Sequence, residues 1–240
     1  MNIILASSFN MTEKDEDGNR HPTIITDTNC FLNTIKRLTP KHDRLVIVAN
    51  DPNNFEVNDY RFDLQSKSLA LSGLDFKEKI LLDSRNKNDA KSIIESADLI
   101  LLSGGKLECQ LDFFHEIELK TLITNHPALI MGGSAGAMNL CKVAFNYPEY
   151  AHEVDPNKTE FFLPGLGFHN EILVPHLDDK TNPYLNDGFD PVAEFILPKS
   201  HGREFLAFND DSYILIENGV TKYFGNFYRI KDGIIKQVAK

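Results

Sequence analysis

Short apolar runs alternate with segments of helical spacing through the first 140 residues. The apolar runs are NIILAS, RLVIVAN, KILLD, DLILLSGG and ALIMGG. Strand and helix patterns that alternate in this way predict a parallel sheet with helices on both faces. The runs are apolar throughout, which is typical of strands buried on both sides. We therefore predict an α/β fold of three layers with a mostly parallel central sheet, and we expect chemistry at the carboxyl ends of its strands.

The segments between these runs predict helices and one long loop. The stretch TDTNCFLNTIKRL predicts a helix over 26–38, and ECQLDFFHEIELKTLI predicts one helix over 108–123. After the first strand, the polar sequence up to about residue 25 predicts a loop.

The last third of the chain has a different pattern. The segments FLAFND, SYILIENGV, TKYFGNFYRI and GIIKQVA follow a middle region rich in proline and aspartate. Asn218-Gly219 and Asp232-Gly233 are typical of tight hairpin turns. We predict a C-terminal β-meander packed on the same core. Because no linker or repeat interrupts the sequence, we expect a single domain over residues 1–240.

The composition excludes several classes of function. The net charge of −10 opposes binding to nucleic acid or to an anionic membrane surface, since both need a basic surface. Three scattered cysteines, Cys30, Cys109 and Cys141, are typical neither of a disulfide framework nor of a zinc site. We expect a cytoplasmic protein, because MNIILASSF has the pattern of a first strand and no apolar stretch is long enough to span a bilayer.

The stretch IMGGSAGAMNL carries the strongest indication of chemistry. Gly132-x-Ser134-x-Gly136 lies between a predicted strand and a predicted helix, which is the nucleophile-elbow pattern. Such a turn exposes the serine hydroxyl at the start of the helix, and the N–H of Ala135 can then stabilise an oxyanion. The alternative is a glycine-rich turn that only packs or that binds a phosphate. The pattern alone leaves both open.

A serine nucleophile needs a base, and the base needs an acid that orients it. His169 and His176 both lie in GLGFHNEILVPHLDD, and His176 comes at the end of an apolar run. In FNDDSYI, Asp210 and Asp211 again lie at a strand boundary. Each histidine could instead be an ordinary loop residue, and the aspartates could form a turn.

Four blocks together resemble the dipeptidase E and cyanophycinase family of serine peptidases. They are LILLSGGKLECQLDFFHEIELKTLI, IMGGSAGAMNL, LPGLGFHNEILVPHLD and EFLAFNDDSYILIENG, which cover about residues 98–220. The resemblance implies a flavodoxin-like, class I glutamine-amidotransferase-like fold. It also implies that Ser134 is the nucleophile, His176 the base and Asp210 the third member, with the N–H groups of Gly105 and Ala135 forming the oxyanion hole.

The same resemblance implies hydrolysis of small peptides, with a preference for acidic residues such as aspartate. Lys106 or Arg203 would supply the cationic pocket for this preference. Asp211 and Glu149 are alternatives for the third member. No metal or cofactor is expected, and the sequence does not distinguish a monomer from a homodimer.

Three other readings compete with this one. An α/β-hydrolase would use Ser134, then Asp190, then His201. A glutamine amidotransferase would use His169 and Glu171 with a cysteine nucleophile, but the elbow residue is a serine. A binding module that keeps the fold without catalysis is the third reading.

Overall fold

A seven-stranded sheet lies at the centre of the molecule. The computed structural model describes residues 1–180 and 188–238. Within these residues the strands are β1 Asn2–Ala6, β2 Thr12–Lys14, β3 Arg20–Pro22, β4 Arg44–Val48, β5 Glu78–Leu82, β6 Leu99–Leu102, β7 Leu129–Gly133, β8 Val143–Phe145, β9 Phe162–Pro164, β10 Ile172–Val174, β11 Glu204–Phe208, β12 Tyr213–Glu217, β13 Val220–Phe224, β14 Phe227–Lys231 and β15 Ile234–Gln237.

The central sheet has the order β13-β12-β1-β7-β6-β4-β5. Five neighbouring strands are mutually parallel, namely β1, β7, β6, β4 and β5. The strands β12 and β13 are added antiparallel beside β1. The prediction of a mostly parallel central sheet is therefore confirmed. Because the parallel strands point the same way, the loops after β1, β4, β6 and β7 all emerge where the carboxyl ends of these strands lie.

Helices cover both faces of this sheet. They are α1 Phe31–Leu38, α2 Phe55–Leu71, α3 Ala90–Glu95, α4 Leu107–Glu116, α5 Leu119–Ile123, α6 Ala135–Leu140, α7 Leu177–Lys180 and α8 Leu197–Lys199. Shorter 3₁₀ turns cover Thr28–Cys30, Lys87–Asp89 and Ala151–Glu153, and a π-helical turn covers Val192–Ile196. None of the helices in the described ranges is long and apolar enough to cross a membrane.

Side chains of each central strand alternate between two cores. In β1, Ile4 packs in a core with Ile35 of α1 and Leu69 of α2. Ile3 packs on the opposite face, in a core that includes residues from α3 to α6. Each fully buried aliphatic side chain stabilises the fold by about 1.5–3 kcal/mol. These two cores make the sheet a rigid support for the loops at its carboxyl edge.

The C-terminal strands belong to two different sheets. The predicted hairpins are present, since β12 pairs with β13 and β14 pairs with β15. However, β11 and β12 do not pair: β12 joins the central sheet, while β11 lies in a second sheet of order β10-β11-β14-β15. The two hairpins therefore do not form one continuous meander, and the second sheet packs on the core that contains Ile3.

The structure also differs from the predicted helices and loop. The helix predicted over 26–38 begins only at Phe31, because Asn29 and Cys30 have positive φ. The helix predicted over 108–123 is two helices, α4 and α5, separated where Glu118 takes φ 52°. The predicted N-terminal loop contains the β2–β3 hairpin. Helical spacing does not reveal such local breaks, because they depend on single residues with positive φ.

Candidate active site

Ser134 occupies a strained turn between β7 and α6. Its φ of 50° and ψ of −119° lie outside the regions that residues with side chains normally adopt. The Ser134 N–H donates to the carbonyls of Ala6 and Ser7, at 3.0 and 3.1 Å, which fixes the turn to the end of β1. A Cβ at Gly136 would lie 2.3 Å from the Leu102 carbonyl oxygen. The small residue is thus needed for close packing of the turn against β6.

His176 and Asp210 follow two neighbouring parallel strands. β10 and β11 are paired in register, and each continues beyond its carboxyl end into one of these residues. His176 Nδ1 lies 2.6 Å from Asp210 Oδ1. Within the described part of the chain, no group binds the other ring nitrogen, Nε2. This arrangement leaves Nε2 available to exchange a proton with a group in the site.

Ser7, which follows β1, forms hydrogen bonds with Ser134, His176 and Asp210. Its side chain is fully buried, donates to Asp210 Oδ1 at 2.7 Å and accepts the His176 N–H at 2.7 Å. Its carbonyl is one of the two that accept the Ser134 N–H. A second contact fixes Asp210, whose N–H donates to Asp178 Oδ1 at 3.0 Å. Direct hydrogen bonds therefore set the relative positions of the ends of β7, β10 and β11.

Ser134 and His176 line one open cavity of about 1200 Å³. The loop after β6 forms part of the same wall, and a Cβ at Gly104 would lie 3.0 Å from Ser134 Cβ. The next residue, Gly105, has φ 137°, a conformation that favours glycine. Gly105 and Ala135 both line the cavity beside the serine. The two residues whose N–H groups are the expected oxyanion donors thus line the same cavity as Ser134, from different strand ends.

The charged residues of the cavity wall differ from those expected. Lys106 lines the cavity, but its Nζ lies 2.9 Å from Asp51 Oδ2, which raises the pKa of Lys106. Arg203 lies elsewhere, with its guanidinium 4.1 Å from the centre of the Phe162 ring. It is not among the described residues that line the cavity. The structure therefore does not bring Arg203 to the serine.

Two arginines that the sequence did not indicate line the cavity instead. Arg20 and Arg61 face it, and neither forms an ion pair with a carboxylate of the described residues. Arg61 is an exposed residue of α2 that lies at the cavity wall. Desolvation by this wall, and the charge of Arg20, lower the pKa of Arg61. This end of the cavity therefore favours an anionic group.

The other candidates for the third member lie in different contacts. Asp211 accepts a hydrogen bond from the Asn10 side chain. Glu149 lines the cavity, and its N–H donates to Glu153 at 2.7 Å. Of the three carboxylates, Asp210 is the one with a hydrogen bond to His176.

The α/β-hydrolase residues are not brought together. The Asp190 carboxylate accepts the N–H groups of Val192 and Ala193, which caps the following turn. His201 lies near Gly233, in the loop before β11. Neither residue is among the described residues that line the cavity.

A second histidine–carboxylate pair lies away from the cavity. His169 Nε2 is 3.0 Å from Glu171 Oε2, and Tyr223 and Arg229 also bind this carboxylate. Cys141, whose backbone pairs with His169, is fully buried, and burial raises the pKa of its thiol. A neutral, buried thiol is unsuited to act as the nucleophile of an amidotransferase. Among the described residues, no group of three His, Cys, Asp or Glu side chains is arranged to hold a metal ion.

The sequence indicated some of the residues that complete the site and not others. Ser7 and Asn50, which accepts a hydrogen bond from Arg61, are the last residues of the runs NIILAS and RLVIVAN, so their position at strand ends was a usable signal. Arg61 lies in the middle of α2, and its sequence context gives no sign that it reaches the loop after β6.

Comparison with known proteins identifies the family. The model of peptidase family S51 matches residues 55–223. The chain belongs to peptidase family S51. This S51 chain is a serine-type peptidase. No match was found among curated proteins.

Two solved structures share the fold of this S51 peptidase. A peptidase from an acI-B1 actinobacterium is 15% identical, with a TM-score of 0.66, and the match covers 99% of this chain and 93% of that one. A protein provisionally described as peptidase E from Listeria monocytogenes EGD-e is also 15% identical, with a TM-score of 0.58, covering 99% and 98%. At this identity, the likeness supports the fold.

Proposed function

We propose that this S51 peptidase hydrolyses small peptides with Ser134 as nucleophile, His176 as base and Asp210 as the acid that orients it. The observation that carries the proposal is the shared cavity: Ser134 and His176 both line it, and the Asp210 carboxylate holds His176 Nδ1 at 2.6 Å. Asp210 thereby fixes the tautomer in which Nε2 accepts a proton.

The chemical steps follow from these positions. Ser134 Oγ attacks the scissile carbonyl while His176 Nε2 takes the hydroxyl proton, and the N–H groups of Gly105 and Ala135 bind the oxyanion. The intermediate collapses to an acyl-enzyme as His176 returns the proton to the leaving amine. Water then attacks the ester, with His176 again as base, and releases the acid and free Ser134.

We propose further that the substrate carries an acidic residue beside the scissile bond. Arg20 and Arg61 supply positive charge to the cavity without a carboxylate partner among the described residues. Lys106 contributes less, because Asp51 already pairs with it.

The free thiols of Cys30, Cys109 and Cys141 suit a reducing compartment, which supports a cytoplasmic location.

The test is hydrolysis of Asp-Xaa dipeptides compared with the matching Asn-Xaa dipeptides. We expect a higher kcat/KM for the aspartyl substrates, and a smaller difference in Arg20→Met because the charge that selects aspartate is reduced. Ser134→Ala should abolish hydrolysis, whereas Ser92→Ala, on the surface of α3, should not. Full activity of Ser134→Ala would refute the mechanism, and equal rates on both dipeptides would refute the acidic preference alone.

A further inference from the structure

Arg61 contacts the loop that carries one of the two proposed oxyanion donors. From the middle of α2, its Nη1 donates to the Gly104 carbonyl at 3.1 Å and to Asn50 Oδ1 at 3.0 Å. Asn50 is buried at the end of β4 and lies against Gly105, where an added Cβ would be 2.1 Å from Asn50 Nδ2. Two side chains from outside the loop therefore hold the Gly104–Gly105 peptide.

The contact with the Gly104 carbonyl has a direct effect on the neighbouring N–H. The Gly104 C=O and the Gly105 N–H belong to one trans peptide, so they point in opposite directions. Fixing the carbonyl on Arg61 therefore fixes the N–H on the side away from α2. No group of the described residues accepts this N–H. A cation at the carbonyl also polarises the peptide, which makes its N–H a stronger donor.

We propose that Arg61 is a positioning residue that aims the Gly105 N–H at the oxyanion. This inference rests on the proposed function, because it needs Ser134 to form a tetrahedral intermediate beside Gly105. It also separates two effects of one guanidinium. Recognition of an acidic group by Arg61 changes the KM of acidic substrates only. Positioning of Gly105 changes the rate of acylation for every substrate, including neutral ones.

The experiment uses a neutral fluorophosphonate, which has no carboxylate for Arg61 to bind. Its phosphonyl oxygen needs the same oxyanion donors when Ser134 is modified. In other serine proteases, loss of one oxyanion donor lowers kcat by about 100- to 1000-fold. We expect Arg61→Ala to slow phosphonylation of Ser134 by about tenfold or more. Free guanidinium at concentrations that leave the protein folded should restore part of the rate.

Lys67→Ala is the matched control, because it removes a cation from the exposed face of the same helix. It should react at the wild-type rate. An Arg61→Ala rate equal to wild type would overturn the positioning role, and so would a slow rate that guanidinium does not restore. A wild-type enzyme that is not modified at Ser134 would instead overturn the proposed function.

Discussion

Two histidines that lie seven residues apart in sequence each contact a carboxylate, and the two pairs have different surroundings. In the pair at the cavity, the side chains of His176 and Asp210 are 23% and 27% exposed. In the second pair, those of His169 and Glu171 are 7% and 19% exposed. His176 uses Nδ1 for its carboxylate, while His169 uses Nε2. Of the two histidines, His176 lines the cavity and His169 does not.

The two carboxylates also have different hydrogen-bond partners. Glu171 is bound by Tyr223 at 2.8 Å and by Arg229 as well as by His169. Burial alone raises the pKa of Glu171, but the hydrogen bonds from His169 and Tyr223 and the charge of Arg229 outweigh burial and lower this pKa to about 2. The second pair thus ties β10 to β13 and β14. A histidine–carboxylate pair is suited to proton transfer only where one ring nitrogen is left for the reacting group.

Replacing each of the two histidines by glutamine should give the largest difference in kcat between the two pairs. We expect His176→Gln to lower kcat by about 10 000-fold or more, because the general base is lost. His169→Gln should keep most of kcat and should lower the free energy of unfolding, since Glu171 loses a partner. Steady-state kinetics and urea unfolding of both variants measure this. A greater loss of kcat in His169→Gln would reverse the assignment of the two pairs.

Asp210→Asn should give the next largest effect. An amide in this position no longer holds the required tautomer of His176, so kcat should fall by about 100- to 10 000-fold. Asp211→Asn is the adjacent control and should remain near wild type, because Asp211 contacts Asn10 rather than His176. If Asp211→Asn were the slower enzyme, the third member would be Asp211.

The second pair should make the free energy of unfolding depend on pH in the acidic range. The pKa of Glu171 is about 2 in the folded chain and near its ordinary 4.5 when unfolded. Its contribution is therefore complete above pH 4.5 and is lost as the pH falls toward 2, by about 3 kcal/mol in all. We expect urea unfolding of Glu171→Gln to lack this part of the acid dependence. Identical pH profiles for wild type and variant would contradict the strong pairing of Glu171.

Ser7→Ala should give the smallest effect on the cavity pair. The variant loses one hydrogen bond to Asp210 and leaves the His176 N–H without its acceptor. We expect a kcat about tenfold lower and a free energy of unfolding lower by about 1–2 kcal/mol. Ser8→Ala, at the next position, should change both quantities less. An unchanged kcat in Ser7→Ala would show that Asp178 and the backbone suffice to hold Asp210.

The pattern of apolar residues predicts the sheet because burial on both faces constrains every position of a central strand. It also places Gly105, His176 and Asp210 at strand ends, and the structure brings His176 and Asp210 into contact. The division of the C-terminal strands between two sheets is not predicted, because hairpin turns specify only the pairing of adjacent strands.

Contacts between distant parts of the chain are the other feature that the sequence does not reveal. Ser7 and Asp210 are 203 residues apart, and Arg61 and Gly104 are 43 residues apart. Each contact depends on how the helix and strand ends pack, and no local pattern encodes it. Arg203 shows the opposite case, a cation in a suitable sequence context that packs on Phe162 instead.

The most direct test of activation of Ser134 by His176 is the rate at which a fluorophosphonate modifies each histidine variant, with the adduct located by peptide mass spectrometry. We predict an adduct on Ser134 in the wild type, formation at a similar rate in His169→Gln, and formation at least about 100-fold slower in His176→Gln. Rapid modification of His176→Gln, or an adduct on a residue other than Ser134, would contradict this mechanism.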